Sequence, residues 1–271
     1  MLEKAQELLK TYFGYSSFRK GQEQAISSVL EGKNTVCVMP TGGGKSIVYQ
    51  IPALALPGTT LVISPLISLM KDQVDTLLQL GIPAAYINSS LSPQEAEQTM
   101  VEAMHGGYKL LYVAPERLES YDFQEMLQHL QVPLVAVDEA HCISQWGHDF
   151  RPSYLQIARL MDKLQGNSVV LALTATATPR VREDICATLS IDPINSVLTG
   201  FERENLSFSV VKGQDRHAFL KDYVRKNKSE AGIIYAATRK TVDQLYDWLQ
   251  KEGIDAARYH AGMNDNERAN E

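Results

Sequence analysis

Three consecutive glycines, a lysine and a serine close the segment Met39-Pro-Thr-Gly-Gly-Gly-Lys-Ser46. Glycine lacks a β-carbon, so Gly42, Gly43 and Gly44, following Thr41, let the backbone turn tightly and bring its N–H groups against phosphate oxygens. Lys45 is placed to reach the β- and γ-phosphates of a nucleotide as a point charge, and the Ser46 hydroxyl to ligate magnesium. The general pattern of such loops begins with glycine; here Met39 holds that place, while the end that carries the chemistry, Gly44-Lys45-Ser46, is intact. A second segment, Val135-Ala-Val-Asp-Glu-Ala-His141, supplies two adjacent carboxylates. Asp138 is expected to hold magnesium through water, and Glu139 to act as the base, or to orient the water, for attack on the γ-phosphate. Each segment alone has a plainer reading, a glycine-rich turn or an acidic helix cap. Together they point to a chain that binds a nucleoside triphosphate with magnesium and hydrolyses it.

These groups need strands behind them and helices in front. Thr35-Val-Cys-Val38 is an apolar run before the glycine loop, and helix-compatible sequence follows it from Ile47. Leu134-Val-Ala-Val137 is apolar throughout, as suits a parallel strand buried on both faces. It sets Asp138 at the strand's carboxyl end, where ligands bind in open α/β sheets. Strands are expected at 35–39, 60–64, 84–87, 109–113, 134–137 and 169–174, alternating with helices from Lys45, over 71–80 and 93–104, and near 123–130, 153–164 and 179–189. Upstream, Leu2, Ala5, Leu8, Leu9 and Tyr12 share one helical face, Phe13-Gly-Tyr15 breaks that helix, and 22–30 reads as a second. The fold class is therefore α/β, a parallel sheet with helices on both faces.

Near 199–205 the pattern resets. Phe201-Glu-Arg-Glu-Asn205 reads as a linker, and strands at 206–211, 232–235 and 256–260, with helices near 216–225 and 240–251, read as a second α/β unit. Three strands are few for an open sheet. The expectation is a first domain over 1–203 and the beginning of an incomplete second domain over 204–271.

Composition excludes several classes. The chain has 271 residues and 44% of them are hydrophobic, enough to bury a substantial core. No run of about eighteen apolar residues exists to span a membrane, and the polar start Met1-Leu-Glu-Lys-Ala-Gln-Glu does not read as a signal peptide. Cys37, Cys142 and Cys186 are scattered without a Cys-x-x-Cys pair, which argues against disulfides and a zinc site and for a reducing cytoplasm. A net charge of −6 weighs lightly against nucleic acid, because a local groove can bind it on an acidic protein.

The motifs, taken in order, resemble those of the bacterial RecQ-type DNA helicases, within the two-lobed DEAD/DEAH-box-like motors. Met39–Ser46 is similar to their first motif, methionine included, and Asp138-Glu-Ala-His141 to their second. Ser64-Pro-Leu-Ile-Ser-Leu-Met-Lys-Asp-Gln73 and Thr174-Ala-Thr-Ala-Thr178 resemble the DNA-contacting and coupling motifs of the first lobe, and Ile233-Ile-Tyr-Ala-Ala-Thr-Arg239 the motif that opens the second. Phe13-Gly-Tyr-Ser-Ser-Phe-Arg-Lys-Gly-Gln22 resembles the adenine-recognition motif. There Tyr15 and Arg19 can sandwich the base, and the Gln22 amide can pair with its edge. His141-Cys-Ile-Ser-Gln-Trp-Gly-His-Asp-Phe-Arg151 is similar to the family's aromatic-rich loop, in which Trp146, His148, Phe150 and Arg151 stack on single-stranded DNA and couple that contact to turnover.

What the resemblance implies is a RecA-like P-loop domain followed by the start of a second one. The catalytic set would be Lys45, Asp138, Glu139 and His141, and Ser64, Thr174 and Thr176 would serve DNA contact and coupling. ATP and magnesium would be the cofactors. The partner would be DNA, single-stranded or with a 3′ single-stranded tail. The activity would be 3′-to-5′ unwinding in recombination and repair, on the bacterial nucleoid. The family's arginines that reach the γ-phosphate lie in motifs beyond Glu271, so the chain is expected to be a truncated motor that binds nucleotide and, weakly, DNA. An RNA-remodelling motor, a non-catalytic nucleotide-gated binding module and a small-molecule kinase are the other readings; the second unit and the Trp146 loop speak against the last.

Overall fold

Seven short strands order the first part of the chain: β1 (Thr35–Val38), β2 (Thr60–Ile63), β3 (Ala84–Ile87), β4 (Leu110–Val113), β5 (Leu134–Val137), β6 (Val169–Thr174) and β7 (Ser196–Leu198). In this computed structural model, residues 1–164, 168–200, 205–227, 229–264 and 267 are described. Contacts divide the chain into two units, Met1–Arg203 and Glu204–Glu271. The linker expected at 201–205 lies, apart from Asn205, outside the described residues.

In the first unit all strand pairs are parallel, in the order β3-β4-β2-β5-β6-β1-β7. Successive side chains of a strand face opposite sides, and here both sides are dry. Val36 and Val38 of β1, Leu61 and Ile63 of β2, and Val135 and Val137 of β5 enter one core. Cys37, Val62, Leu134 and Ala136 enter the other. The first core is closed by α5 (Pro93–Met104), α6 (Tyr121–Gln128), α7 (Gln156–Lys163) and α8 (Pro179–Thr188). The second is closed by α1 (Leu2–Phe13), α2 (Gln22–Leu30), α3 (Lys45–Ala55) and α4 (Ile67–Gln79). Burial on both faces is why these strands read as unbroken apolar runs, each fully buried aliphatic side chain contributing about 1.5–3 kcal/mol.

Three boundaries differ from the sequence expectation. α4 begins at Ile67, ahead of the expected 71, because the partly exposed Ile67 and Leu69 blur its apolar face. The helix expected near 153–164 starts as a 3-10 turn, Pro152–Leu155, before α7. Strand β7, three residues long, carried too little pattern to be foreseen.

The second unit corrects the expectation more deeply. Its helices, α9 (Arg216–Lys226) and α10 (Arg239–Lys251), lie where they were expected, capped by Asp215 and Thr238. Among its described residues there is no strand. The segments 206–211, 232–235 and 256–260 expose the side chains a sheet would bury, with Phe208 at 93%, Ile233 at 80% and Tyr235 at 90% of full exposure. A strand is held by its neighbours and by helices that cover both faces. Two helices with a single buried residue between them, Leu249, supply no such cover.

Candidate nucleotide and nucleic-acid site

Strand order assembles the site. Because the strands run parallel, their carboxyl ends share one edge, and four adjacent strands, β2, β5, β6 and β1, deliver Ser64, Asp138, Thr174 and Met39 to it. The ladder runs one residue past each strand: Asp138 N–H donates to Ile63 O at 2.8 Å, Met39 N–H to Thr174 O at 3.0 Å, and Ser64 N–H to Val113 O at 3.2 Å. β1 and β5 are separated only by β6, so the phosphate loop and the carboxylates stand about 10 Å apart. The chain leaves β1 and jumps across β6 and β5 to reach β2, a reversal of order of the kind that opens a ligand crevice.

The loop between β1 and α3 follows its glycines. Gly44 is the N-cap of α3 with φ 80°, a left-handed conformation that favours glycine, so α3 begins at Lys45 with its first amides pointing out of the loop. That is the anion-binding end of a helix. Lys45 Nζ donates to Met39 O at 3.4 Å, within its own loop. Met39 is 1% exposed and packs in the core of the α1–α4 face, so the position that departs from the general loop pattern anchors the loop.

Glu139 has φ 47° and ψ 44°, a left-handed backbone that costs a non-glycine residue about 1–2 kcal/mol. This turn throws the Glu139 and His141 side chains back over the sheet edge. Thr174 Oγ1 accepts from His141 Nδ1 at 2.9 Å and from Thr176 N–H at 3.2 Å, while its own proton goes to Thr176 O at 3.0 Å. The accepting role of Thr174 places the imidazole proton on Nδ1. Glu139 Oε2 lies 3.3 Å from the same nitrogen. That hydrogen bond from His141 holds the Glu139 carboxyl below its usual range against the cost of burial. Burial, and then the Glu139 carboxylate beside it, pushes Asp138 up to about 6. The two neighbouring acids are driven apart, Glu139 toward its anionic form and Asp138 toward its protonated one.

The donors fit magnesium. Ser46 and Asp138 offer hard oxygens, and both act on the buried Tyr49 hydroxyl, which burial first and then Tyr112 and Asp138 push well up while its bond to Ser46 works the other way. Among the described residues no group of three or more His, Cys, Asp or Glu gathers to hold a metal. An ion that takes one or two protein ligands and fills its shell with phosphate and water is the kind that matches this set.

The aromatic-rich loop lies against the same place. His148 stacks on His141 with centroids 4.2 Å apart and planes 18° from parallel. Arg151 grips Asp149 Oδ2 through Nε at 3.1 Å and Nη2 at 3.0 Å, and its Nη1 donates to Pro65 O at 3.4 Å, next to Ser64. Trp146 is 61% exposed, which rules out a core role, and Phe150 is half-buried. A cleft of about 320 Å³ is lined by Thr41 of the phosphate loop, Glu139 and His141, His148 and Asp149 of the aromatic loop, and Thr176, among others. With Pro65 and Leu66, which also line it, residues from five expected motifs share the cleft.

The adenine motif is arranged differently from its expected use. Gln22 is 3% exposed, and its amide is occupied: Nε2 donates to Gly44 O at 3.0 Å and Gly43 O at 3.3 Å, and Oε1 accepts from Arg19 N–H at 2.8 Å. Arg19 Nη1 donates to Gly42 O at 2.8 Å. Tyr15 stands exposed and is absent from the groove of about 640 Å³ that Phe18 and Arg19 line beside α2. Arg19 and Gln22 are therefore both bonded to the phosphate loop.

Sequence reasoning missed three supports. Tyr154, fully buried, donates from its hydroxyl to Asp138 O at 2.9 Å and pins the carboxylate turn. Arg180 and Asp184 of α8 touch the aromatic loop. A tyrosine in a short turn and charges on a helix carry no spacing signal that would have revealed them.

A glycine-rich loop between a strand and a helix, a carboxylate pair at a strand end and a histidine bonded to the neighbouring strand are the arrangement of a P-loop fold. The model of the DEAD/DEAH box helicase family matches residues 19–185, and the chain belongs to that family. It is 58% identical over 269 residues to the ATP-dependent DNA helicase RecQ of Bacillus subtilis (strain 168), covering 99% of this chain and 46% of that protein. It is 45% identical over 264 residues to the enzyme of the same description in Pasteurella multocida (strain Pm70), covering 97% and 42%. The chain thus spans less than half the length of these relatives. Among solved structures, Mycobacterium smegmatis helicase Lhr bound to ssDNA and AMP-PNP aligns with TM-score 0.66 at 20% identity, over 97% of this chain and 39% of that one. The first unit is RecA-like. Among the described residues no helix is long and apolar enough to cross a membrane.

Proposed function

We propose that this chain is the nucleotide-binding part of an ATP-dependent DNA helicase of the RecQ type, moving 3′ to 5′ along a single strand in recombination and repair, on the bacterial nucleoid. One observation carries the reading: the cleft in which Glu139 and His141 meet the phosphate loop on one side and the aromatic loop on the other. A site that only bound nucleotide would not need that second wall. Residues 204–271 belong to this proposal as the start of a second RecA-like lobe.

In this reading the amides of Gly42, Gly43 and Gly44 and the Lys45 ammonium receive the β- and γ-phosphates, Lys45 leaving its contact with Met39 O. Ser46 and Asp138 would hold magnesium, which supplies neutralisation of the phosphate charge. Glu139, kept anionic by His141, orients the attacking water and takes its proton. His141 passes the state of that centre to Thr174 and, by its stacking on His148, to the aromatic loop. Trp146 and Phe150 offer rings to unpaired bases. Ser64, Arg151 and Thr176 line the path between strand ends and loop. Gln22 and Arg19 serve adenine recognition by exchanging their bonds to the phosphate loop for bonds to the base.

The relatives that match most of this chain are described as DNA helicases, so an RNA-remodelling motor is not favoured. The test is ATP turnover by the purified chain with no nucleic acid, with single-stranded DNA and with RNA, beside Lys45→Ala, together with binding of a fluorescent ATP analogue. The expected result is nucleotide binding lost in Lys45→Ala, and turnover raised more by DNA than by RNA. Equal stimulation by both would transfer the reading to RNA. Nucleotide binding indifferent to Lys45→Ala would end it.

A further inference from the structure

Arg180 and Asp184 both hold the loop that carries Trp146. The Arg180 guanidinium carbon lies 3.5 Å from the centroid of the Trp146 ring. Four residues along α8, Asp184 Oδ2 accepts a 2.6 Å hydrogen bond from the Ser144 hydroxyl. Ser144 Oγ in turn accepts from the Trp146 backbone N–H at 3.1 Å. Residues at i and i+4 face the same way on a helix, so one face of α8 grips the loop at two points, its backbone and its ring.

That face is fixed to the nucleotide centre. Thr178 caps α8 by accepting from Val181 N–H at 3.3 Å, and the same short segment begins at Thr174, which holds His141 at 2.9 Å. The loop passes so close to His141 that a β-carbon on Gly147 would stand 2.4 Å from His141 O. Trp146 is therefore held from behind by α8 and from below by the carboxylate turn. With Arg180 over the ring it still keeps 61% of its exposure, so its second face is open.

Stacking a nucleobase on a freely turning indole costs the rotamer freedom lost on binding; a ring already fixed has met that cost beforehand. The guanidinium does this by cation–π contact and leaves its charge beside a polyanion. We propose that Arg180 is a positioning residue for single-stranded nucleic acid: it fixes the plane of Trp146 so that one base stacks on the open face, while Asp184, through Ser144, fixes the loop backbone under it. The inference rests on the reading that Trp146 stacks on bases.

The 271-residue chain has two tryptophans, Trp146 and Trp248, so in a Trp248→Phe background fluorescence reports Trp146 alone. Binding of a labelled oligo-dT is measured by anisotropy for the parent, Arg180→Ala, Arg180→Lys and Trp146→Ala. Arg180→Ala is expected to shift the Trp146 emission before any DNA is added and to weaken binding about fivefold, with binding of a fluorescent ATP analogue unchanged. Arg180→Lys keeps the charge but not the flat stack, and recovers only part of the loss. Unchanged or tighter binding by Arg180→Ala overturns the proposal, the second case showing that guanidinium and base compete. Full recovery by Arg180→Lys with unshifted emission also overturns it, because charge alone would then suffice. If Trp146→Ala binds like the parent, the stacking reading falls and takes this inference with it; if Trp146→Ala weakens binding and Arg180→Ala does not, only the inference falls.

Discussion

The phosphate loop and the aromatic loop meet at the same carboxylates and are built by opposite means. In the phosphate loop the proposed working groups are backbone amides, and side chains from elsewhere, Arg19 and Gln22, hold its carbonyls. In the aromatic loop the proposed working groups are side chains, and the loop is held by a close pass at Gly147, by the Arg151–Asp149 pair and by α8. A loop that works through its backbone tolerates few residue types, so its sequence is a signature. A loop that works through exposed rings needs only a rigid mount. The difference predicts that the two can be broken separately, whereas a change at Glu139, between them, stops turnover and leaves both ligands bound.

The largest effect is expected there. Glu139→Gln keeps the size of the side chain and removes the anion that His141 stabilises. ATP turnover should fall about a hundredfold or more, with nucleotide and single-stranded DNA still bound. Turnover within a few-fold of the parent would move the role of base elsewhere.

Asp138 tests the electrostatics beneath both loops. Its carboxyl is raised from 3.8 to about 6, by burial first. Between about pH 4 and 6 the folded chain keeps a proton the unfolded chain has released, so this group's contribution to stability falls as pH rises through that window. Asp138→Asn should therefore melt above the parent at pH 7.5, by the equivalent of roughly 1–3 kcal/mol, and the lead should vanish below about pH 4. Parallel melting curves at all pH values would mean that the carboxylate is well solvated.

A pair of glycines then separates the loops directly. Gly44→Ala puts a β-carbon at φ 80° and 2.4 Å from Gln22 Nε2, a strain of about 1–2 kcal/mol, and should weaken nucleotide binding while sparing DNA. Gly147→Ala meets His141 O at 2.4 Å and should weaken DNA binding while sparing nucleotide. If both variants lose both ligands equally, the loops are one unit and the contrast fails.

The same contrast explains what could be read without coordinates. The first sheet was legible because its strands are buried on both faces and its helices alternate with them, and the placing of Lys45, Asp138 and Glu139 at the sheet's edge because a glycine loop and a carboxylate pair each follow an apolar strand. Trp146 and His148 could be picked out only by resemblance, since nothing in their spacing says that one is exposed and the other stacked on His141. Arg180, Asp184 and Tyr154 were invisible, being tertiary partners set by how α8 and a 3-10 turn pack. The strands expected in the second unit failed for the converse reason: β-branched and aromatic runs give propensity, but a ladder needs partners and cover, and Phe208, Ile233 and Tyr235 stand in solvent.

Gln22 gives the smallest effect and the finest test. As a member of the phosphate loop's mount it donates to Gly43 O and Gly44 O and accepts from Arg19 N–H; as an adenine reader it must give up part of that set, because one amide has a fixed number of donors and acceptors. Gln22→Ala should lower stability by about 1 kcal/mol through the lost hydrogen bonds. Binding of GTP should fall with that loosening of the loop, since the loop holds phosphates common to both nucleotides. Binding of ATP should fall further, about fivefold beyond GTP, if the freed amide pairs with the adenine edge, a difference of about 1 kcal/mol for one hydrogen bond. Equal losses for ATP and GTP would confine Gln22 to the mount, and the base would then be read by other groups, of which the exposed Tyr15 is the first to test.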